Sequence, residues 1–355
     1  MVIVQVHWLL TVRQNLLKQI FGVWKPFLSP TLTSMPNMAL LSFGIITDIQ
    51  YADREDGYDF FKIQKRYFRA SLEQTNKAID HWMQSDNEVS FILQLGDLLD
   101  GYNKRNNQRD SALACMKKAF SKFPRNIYHV WGNHEFYNFT HEELLNSILN
   151  SSLNKNCENI PGRGYYSFTP HKSLKFLILD CYAVNVIDKM SLNYQEAKEI
   201  FKVNPNKDIN SSDGLDDSTC MVVAYNGAIG KAQMEWISAS LQQAEKLHQN
   251  VVICGHCPVY IKSCNIKSLC WDYAAILKLI SSYNCVLAYF AGHEHQGGFA
   301  IDPKGIYHIT FPGVIETSPD TSCFATVELH PRTLQVWGQG KIQNYSIPLR
   351  YEVKT

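Results

Sequence analysis

The chain has no aspartate or glutamate before Asp48, although Arg13, Lys18 and Lys25 fall in that stretch. Its apolar opening, Val2 to Leu10, is too short to span a bilayer, since a membrane helix needs about 20 apolar residues. A charged lead-in of the secretory kind is missing as well. Residues 1–40 therefore read as a poorly ordered N-terminal extension, with a mitochondrial presequence as the alternative. Net charge is also missing. The 34 Lys and Arg nearly cancel the 33 Asp and Glu, which excludes a broad field for nucleic acid or a membrane surface. An anionic ligand must be held by local chemistry, such as a metal or a few aimed donors. Repeats, low-complexity tracts and an obvious linker are absent, so residues 41–355 read as a single domain. With 45% apolar residues, that length supports a large core.

Cysteine is not scarce, but regular cysteine spacing is. Ten cysteines scattered over 355 residues exclude a disulfide scaffold and point to a reduced, cytoplasmic protein. One pair, Cys254-Gly-His-Cys257, has the spacing of a thiol–disulfide couple. A redox pair needs a helix start beside its first thiolate. Here Pro258-Val259-Tyr260 follows, and helical periodicity begins only near Trp271. His256, at the end of an apolar run, becomes the residue to explain.

From residue 43 the chain alternates. Apolar, β-branched runs (FGIITDIQ, SFILQLGD, NIYHVWGNH) are separated by helical periodicity over 62–83 and 109–120. That order predicts an α/β fold with parallel strands in one sheet and covering helices. Two strands near 164–181, a polar surface excursion over 194–217, helix–strand pairs to residue 295 and hairpins beyond complete the pattern.

The informative feature is where the apolar runs stop. They end at Asp48 and Gln50, at Asp97 with Asp100 beyond, at Asn133-His134-Glu135, at His256, and at His293 with His295. In open α/β sheets, ligands bind at the carboxyl ends of strands, so these groups should converge. Carboxylates, amides and imidazoles without thiolates suit Mn, Fe or Zn. Among them, two carboxylates, an Asn, a Gln and three His make seven donors, too many for one ion with open positions, and two ions sharing a carboxylate fit the count. Each member alone has a plainer reading as a turn or cap. His293-x-His295 is stronger, because period 2 puts both rings on one side of an extended strand.

Asp48-Ile-Gln50, GDLLDGYN (96–103), GNHE (132–135), Gly255-His256 and GHEH (292–295) resemble the five blocks of the calcineurin-like metallophosphoesterases. Two departures stand out. Gln50 replaces the histidine common in the first block, and Gly101-Tyr102 stands where protein Ser/Thr phosphatases carry an arginine. With YADREDGY, WGNHEFYNF and GVIETSPD, the set is similar to the manganese-dependent ADP-ribose/CDP-alcohol diphosphatase subgroup. The resemblance implies a four-layer sandwich of two mixed β-sheets flanked by helices. It implies cleavage of a pyrophosphate in ADP-ribose, CDP-choline and other CDP-alcohols by in-line attack of a hydroxide between two ions. A phosphodiesterase acting on cyclic nucleotides is the alternative. It further implies that one ion takes Asp48, Gln50, Asp97 and His295, and the other Asp97, Asn133, His256 and His293. His134 steadies or protonates the leaving oxygen, with Asp97 bridging. Mn is the preferred ion, with Mg, Zn or Fe as substitutes.

A neutral amide oxygen binds a borderline cation less tightly than imidazole, so Gln50 should make the first ion weak. Phe60, Tyr102, Phe136 and Tyr137 follow the metal blocks and could stack on a nucleobase. Asn226 and Gly227 precede a helix whose amides could meet a phosphate. The expected partner is a small nucleotide conjugate bound by a monomer, with no nucleic acid and no membrane span.

Overall fold

Every residue of strand β1 (Leu41–Ile46) is buried, Ser42 and Gly44 included, as a strand with both faces covered requires. The computed structural model describes residues 38–59 and 62–353; Phe60 and residues 1–37 lie outside these. After β1 come the short ribbon β2 (Gly57–Tyr58) and β3 (Lys65–Arg66), then β4 (Val89–Gln94) and β5 (Asn126–His129). The second half begins with β6 (Cys157–Asn159), β7 (Tyr166–His171), β8 (Leu174–Ile178) and β9 (Asn250–Cys254). β10 (Val286–Ala291), β11 (Gly298–Ile301) and β12 (Tyr307–Thr310) follow. β13 (Cys323–Leu329), β14 (Thr333–Gly340) and β15 (Tyr345–Pro348) close the chain.

These strands make two large mixed sheets. The first has the order β15-β14-β13-β1-β4-β5, with β1, β4 and β5 parallel. The second has the order β11-β12-β10-β9-β8-β7-β6, with β8, β9, β10 and β12 parallel. The three runs expected to lie parallel, now β1, β4 and β5, share one sheet, and the pair of mixed sheets matches the architecture that the resemblance implies. The last strands return to flank β1, where Phe43 lies opposite Val327 in an antiparallel ladder.

The sheets meet through aromatic side chains. Phe43 stacks on Phe91 at 4.8 Å within the first sheet and meets the edge of Phe176 from the second at 5.3 Å. Truncating such a ring to alanine costs about 3–5 kcal/mol. Helix Ala70–Met83 covers the first sheet. Its Trp82 ring presses on Gly44, where a β-carbon would come within 2.5 Å of the indole. Helices Gly230–Lys246 and Tyr273–Ile280 bury apolar faces on the second sheet. The result is the four-layer sandwich.

Three local expectations change. The helix expected from residue 62 starts at Ala70, because Lys65–Arg66 pairs with Gly57–Tyr58 instead. The polar excursion opens with a real helix, Tyr194–Phe201, whose Ala197 is buried. The apolar runs stop being strand before their polar ends, so Asp48, Gln50, Asp97 and His256 sit in the turns beyond. No helix among the described residues is long and apolar enough to cross a membrane.

Candidate metal centre

Beyond β1 and β4 the two chains continue side by side. Asp48 N–H donates to Gly96 O at 3.1 Å, and Gln50 N–H donates to Asp97 O at 2.9 Å. This short zipper holds backbone that L-residues avoid. Asp48, Gln50, Asp97 and His293 have φ of +49°, +43°, +58° and +70°. Each such residue costs roughly 1–3 kcal/mol of strain, and such strain gathers at working sites. Close approach matters too. A β-carbon on Gly132 would lie 2.2 Å from Asp97 Oδ1 and 2.7 Å from His256 Nε2.

Donor atoms of Asp97, His256 and His293 lie within 4.8 Å of one another, as do those of Asp48, Asp97 and His295. Asp97 belongs to both groups. His256 Nε2 is 3.4 Å from Asp97 Oδ2 and 3.9 Å from Asp48 Oδ1, and His295 Nε2 is 3.3 Å from Asp48 Oδ1. Asp48 Oδ1 and His256 Nε2 are buried and have no hydrogen-bond partner. Leaving such atoms unpaired costs about 1–3 kcal/mol each or more. A divalent cation among these carboxylates and ring nitrogens would satisfy both, so the residues fit a metal pair.

Each imidazole is pinned through one nitrogen, which leaves the other facing the centre. His256 Nδ1–H donates to Leu95 O at 2.8 Å, His293 Nε2–H to Asn226 Oδ1 at 2.6 Å, and His295 Nδ1–H to Glu316 Oε1 at 2.8 Å. Such partners fix the tautomer and aim the ring. Sequence reasoning gave Glu316 and Leu95 no role, although Glu316 stands in the quoted GVIETSPD. Glu135 is a further omission. It accepts from the amides of Asp97, Leu98 and Gly132 at 2.7–2.8 Å and so ties the second and third blocks together.

The electrostatics follow from burial and proximity. Burial works against Asp48 and Asp97, yet the His256 ring and the other imidazoles keep both below the usual carboxylate range. Burial also opposes protonated His256 and His295, but Asp97 and Asp48 raise the first to about 10, and Asp48 with Glu316 raises the second to about 9. His293 is pushed down to about 3 by burial and by its neighbour His256. Glu135 is pushed up to about 7 by burial and by Asp97.

The remaining expected residues divide. Asn133 opens helix Asn133–Asn138, and its Oδ1 accepts from Tyr182 OH at 3.3 Å. His134 lies against the centre: its N–H donates to Asp97 Oδ1 at 2.8 Å, and its Nδ1 accepts from Gly101 N–H at 2.9 Å. Gln50 turns its amide nitrogen toward the centre, donating to Asp97 Oδ2 at 3.1 Å and His295 Nε2 at 3.0 Å, while its oxygen accepts from Arg66 at 3.3 Å. Tyr102 is half-buried, with the Arg54 guanidinium over its ring at 4.4 Å. Phe60 lies outside the described residues.

Two expected substrate contacts are corrected. Phe136 is core, packed against Tyr182 at 5.4 Å, because its helix turns that ring inward. Asn226 is fully buried, and its Nδ2 is spent on Met221 O and Lys267 O, so it holds His293 rather than a phosphate. The following helix already has an anion, since Asp272 accepts from the amides of Ile229 and Gly230. Cys254 and Cys257 are fully buried free thiols, and Cys257 Sγ bonds to Tyr182 OH at 3.2 Å.

Known proteins align with this arrangement. The chain is 38% identical to a manganese-dependent ADP-ribose/CDP-alcohol diphosphatase from Bos taurus, over 93% of this chain and 99% of that one. It is 36% identical to the protein of that name from Homo sapiens, over 88% and 94%. A dimetal phosphatase from Danio rerio superposes with a TM-score of 0.84 at 33% identity, covering 88% of this chain and 99% of that one. The calcineurin-like phosphoesterase model matches residues 41–297, a span that contains every expected ligand, and makes this chain a member of that family.

Proposed function

We propose that this protein hydrolyses the pyrophosphate bond of nucleoside diphosphate conjugates. ADP-ribose gives AMP and ribose 5-phosphate; CDP-choline and other CDP-alcohols give CMP and the phosphoalcohol. The observation that carries this reading is the pair of ligand groups sharing Asp97, with two buried donor atoms that lack any protein partner. The names of the Bos taurus and Homo sapiens relatives supply the substrate class.

Asp48, Gln50, Asp97 and His295 would hold one ion, and Asp97, Asn133, His256 and His293 the other. When bound, such a pair lowers the pKa of water and offsets charge on a phosphoryl group. Everything else falls to the chain. Glu135 fixes the two blocks that carry Asp97 and Asn133. Leu95, Asn226 and Glu316 keep the three rings aimed. His134 has a defined job. Since Gly101 N–H occupies Nδ1, the proton sits on Nε2, 4.0 Å from Asp97 Oδ2. Burial, partly offset by Asp97, also keeps the ring below its usual pKa. A neutral ring with Nε2–H steadies a leaving phosphate oxygen by hydrogen bonding. Tyr102 and Phe60 remain the stacking candidates for the base.

Both ligand groups come from one chain, which supports the monomer reading. All ten cysteines are free, which suits a reducing, cytoplasmic setting. The mitochondrial alternative rests on residues 1–37, outside the described ones.

The test is direct. Purified protein is incubated with Mn and a panel of ADP-ribose, CDP-choline, CDP-glycerol and cyclic and linear phosphodiesters, and products are identified by mass. AMP with ribose 5-phosphate, or CMP with a phosphoalcohol, is expected, and a chelator should abolish both. Turnover confined to phosphodiesters would overturn the reading.

A further inference from the structure

Arg66 stands at the edge of the centre, in the two-residue strand β3, with its side chain one-fifth exposed. Its guanidinium bonds to two residues around the first ligand group. Nη1–H donates to Gln50 Oε1 at 3.3 Å, and Nε–H donates to Glu316 Oε1 at 3.2 Å. Glu316 Oε1 is also the oxygen that pins His295.

The Gln50 amide is fully committed by this arrangement. Its nitrogen donates to Asp97 Oδ2 and lies 3.0 Å from His295 Nε2, and its oxygen accepts from Arg66. The assignment is consistent in donors and acceptors. Arginine can only donate and carboxylate can only accept, so Arg66 fixes the oxygen end of the amide and Asp97 the nitrogen end. An amide binds a hard or borderline cation through oxygen, never through its NH2. Gln50 can therefore act as a ligand only after its side-chain amide turns over. Turning sets its NH2 against the guanidinium, donor facing donor, so Arg66 must leave Gln50 for the ion to be held.

We infer that Arg66 is a positioning residue that sets the affinity of the first ion by competing with it for the Gln50 oxygen. This rests on the metal reading of the site but not on the substrate. The weakness expected of that ion then has two parts: the chemistry of a neutral amide, and a guanidinium that must be displaced. Arg66 is also freed, at the moment of loading, beside the place where the anionic substrate must lie.

The experiment is a Mn titration of the full chain by calorimetry, without substrate, so that it is independent of the diphosphatase reading. Arg66→Met removes both donors at similar length. It should tighten the weaker ion by about fivefold or more and leave the tighter ion unchanged. Charge removal alone would also tighten binding, so the same change is made beside Gln50→His. Imidazole offers no oxygen to be held away, so there Arg66→Met should tighten only by the charge part, clearly less than beside native Gln50. Equal tightening in both backgrounds, or none beside native Gln50, overturns the inference. Arg66→Lys, which keeps a charge and a donor, should lie near the parent. If Arg66→Met loses its cooperative melt, Arg66→Gln is titrated in its place with the same outcomes.

Discussion

The first sheet and the second supply chemically different halves of one centre. The segments just after β1, β4 and β5 carry Asp48, Gln50, Asp97 and Asn133, all carboxylates or amides. Turns after β9 and β10 carry His256, His293 and His295, all imidazoles. The halves are also fixed differently. In the first, three of four residues sit at positive φ, so backbone geometry aims short side chains. In the second, only His293 does, and hydrogen bonds to ring nitrogens do the aiming. Short acids need a constrained backbone; longer rings that rotate about two bonds need a partner beyond the ring.

The largest expected effect comes from Asp97, where the halves meet. Asp97→Asn keeps the shape and tolerates the left-handed backbone, so it removes charge alone. Metal stabilisation of several kcal/mol is at stake, so kcat/KM with Mn should fall on the order of 10³-fold. Calorimetry should also find fewer than two ions bound. Activity within tenfold of the parent would break the idea that one carboxylate joins the two halves.

Next come the pins of the second half. Glu316→Ala and Asn226→Ala should each lower Mn affinity or activity by about 10- to 100-fold, although neither residue is an expected ligand. If either variant titrates like the parent, ring orientation is set by packing and the contrast between halves fails. Smaller again is Gln50→His, which places imidazole chemistry in the first half. It should tighten the weaker ion by about tenfold, measured without substrate, since imidazole outcompetes an amide oxygen for Mn or Zn.

The smallest effect at neutral pH concerns a histidine outside the centre. His129 ends β5, bonds to Gln94 Oε1 at 3.1 Å and has no carboxylate beside it. Burial pushes its pKa down to about 4, whereas His256 and His295, facing carboxylates, rise. Its folded pKa lies below the unfolded value near 6.5, so the unfolded chain takes the proton first. Stability from neutral His129 is present above about pH 6.5 and is lost as pH falls toward 4, by at most about 1.4 kcal/mol per pH unit. Urea unfolding at pH 7, 5.5 and 4.5 should show this slope, and His129→Gln should flatten it. An unchanged slope would mean that the ring charges without cost.

Much of the centre was legible before any coordinates, for a physical reason. A buried strand that stops at Asp, Asn or His is a local pattern, and five such stops in order need no knowledge of who neighbours whom. The hairpins beyond residue 295 were legible in the same way, and β11 and β12 pair antiparallel across a turn where Gly305 takes φ +77°. The substrate side was less legible. Phe136 and Asn226 have the composition of contact residues, and only burial shows that one is core and the other holds a ring. Helix periodicity over 62–69 gave no warning that Lys65–Arg66 would pair as a strand.

The amino-acid order by itself therefore determined the ligand chemistry, the strand ends that carry it and most helices, because these depend on side-chain type and on contacts within a few residues. The tertiary structure alone decided which ring nitrogen faces the centre and which way the Gln50 amide points. Those choices are made by partners far away in the chain: Leu95 for His256, 161 residues apart, Asn226 for His293, 67 apart, and Arg66 for Gln50, 16 apart. A hydrogen-bond acceptor can select a tautomer only when the fold has brought it within about 3 Å.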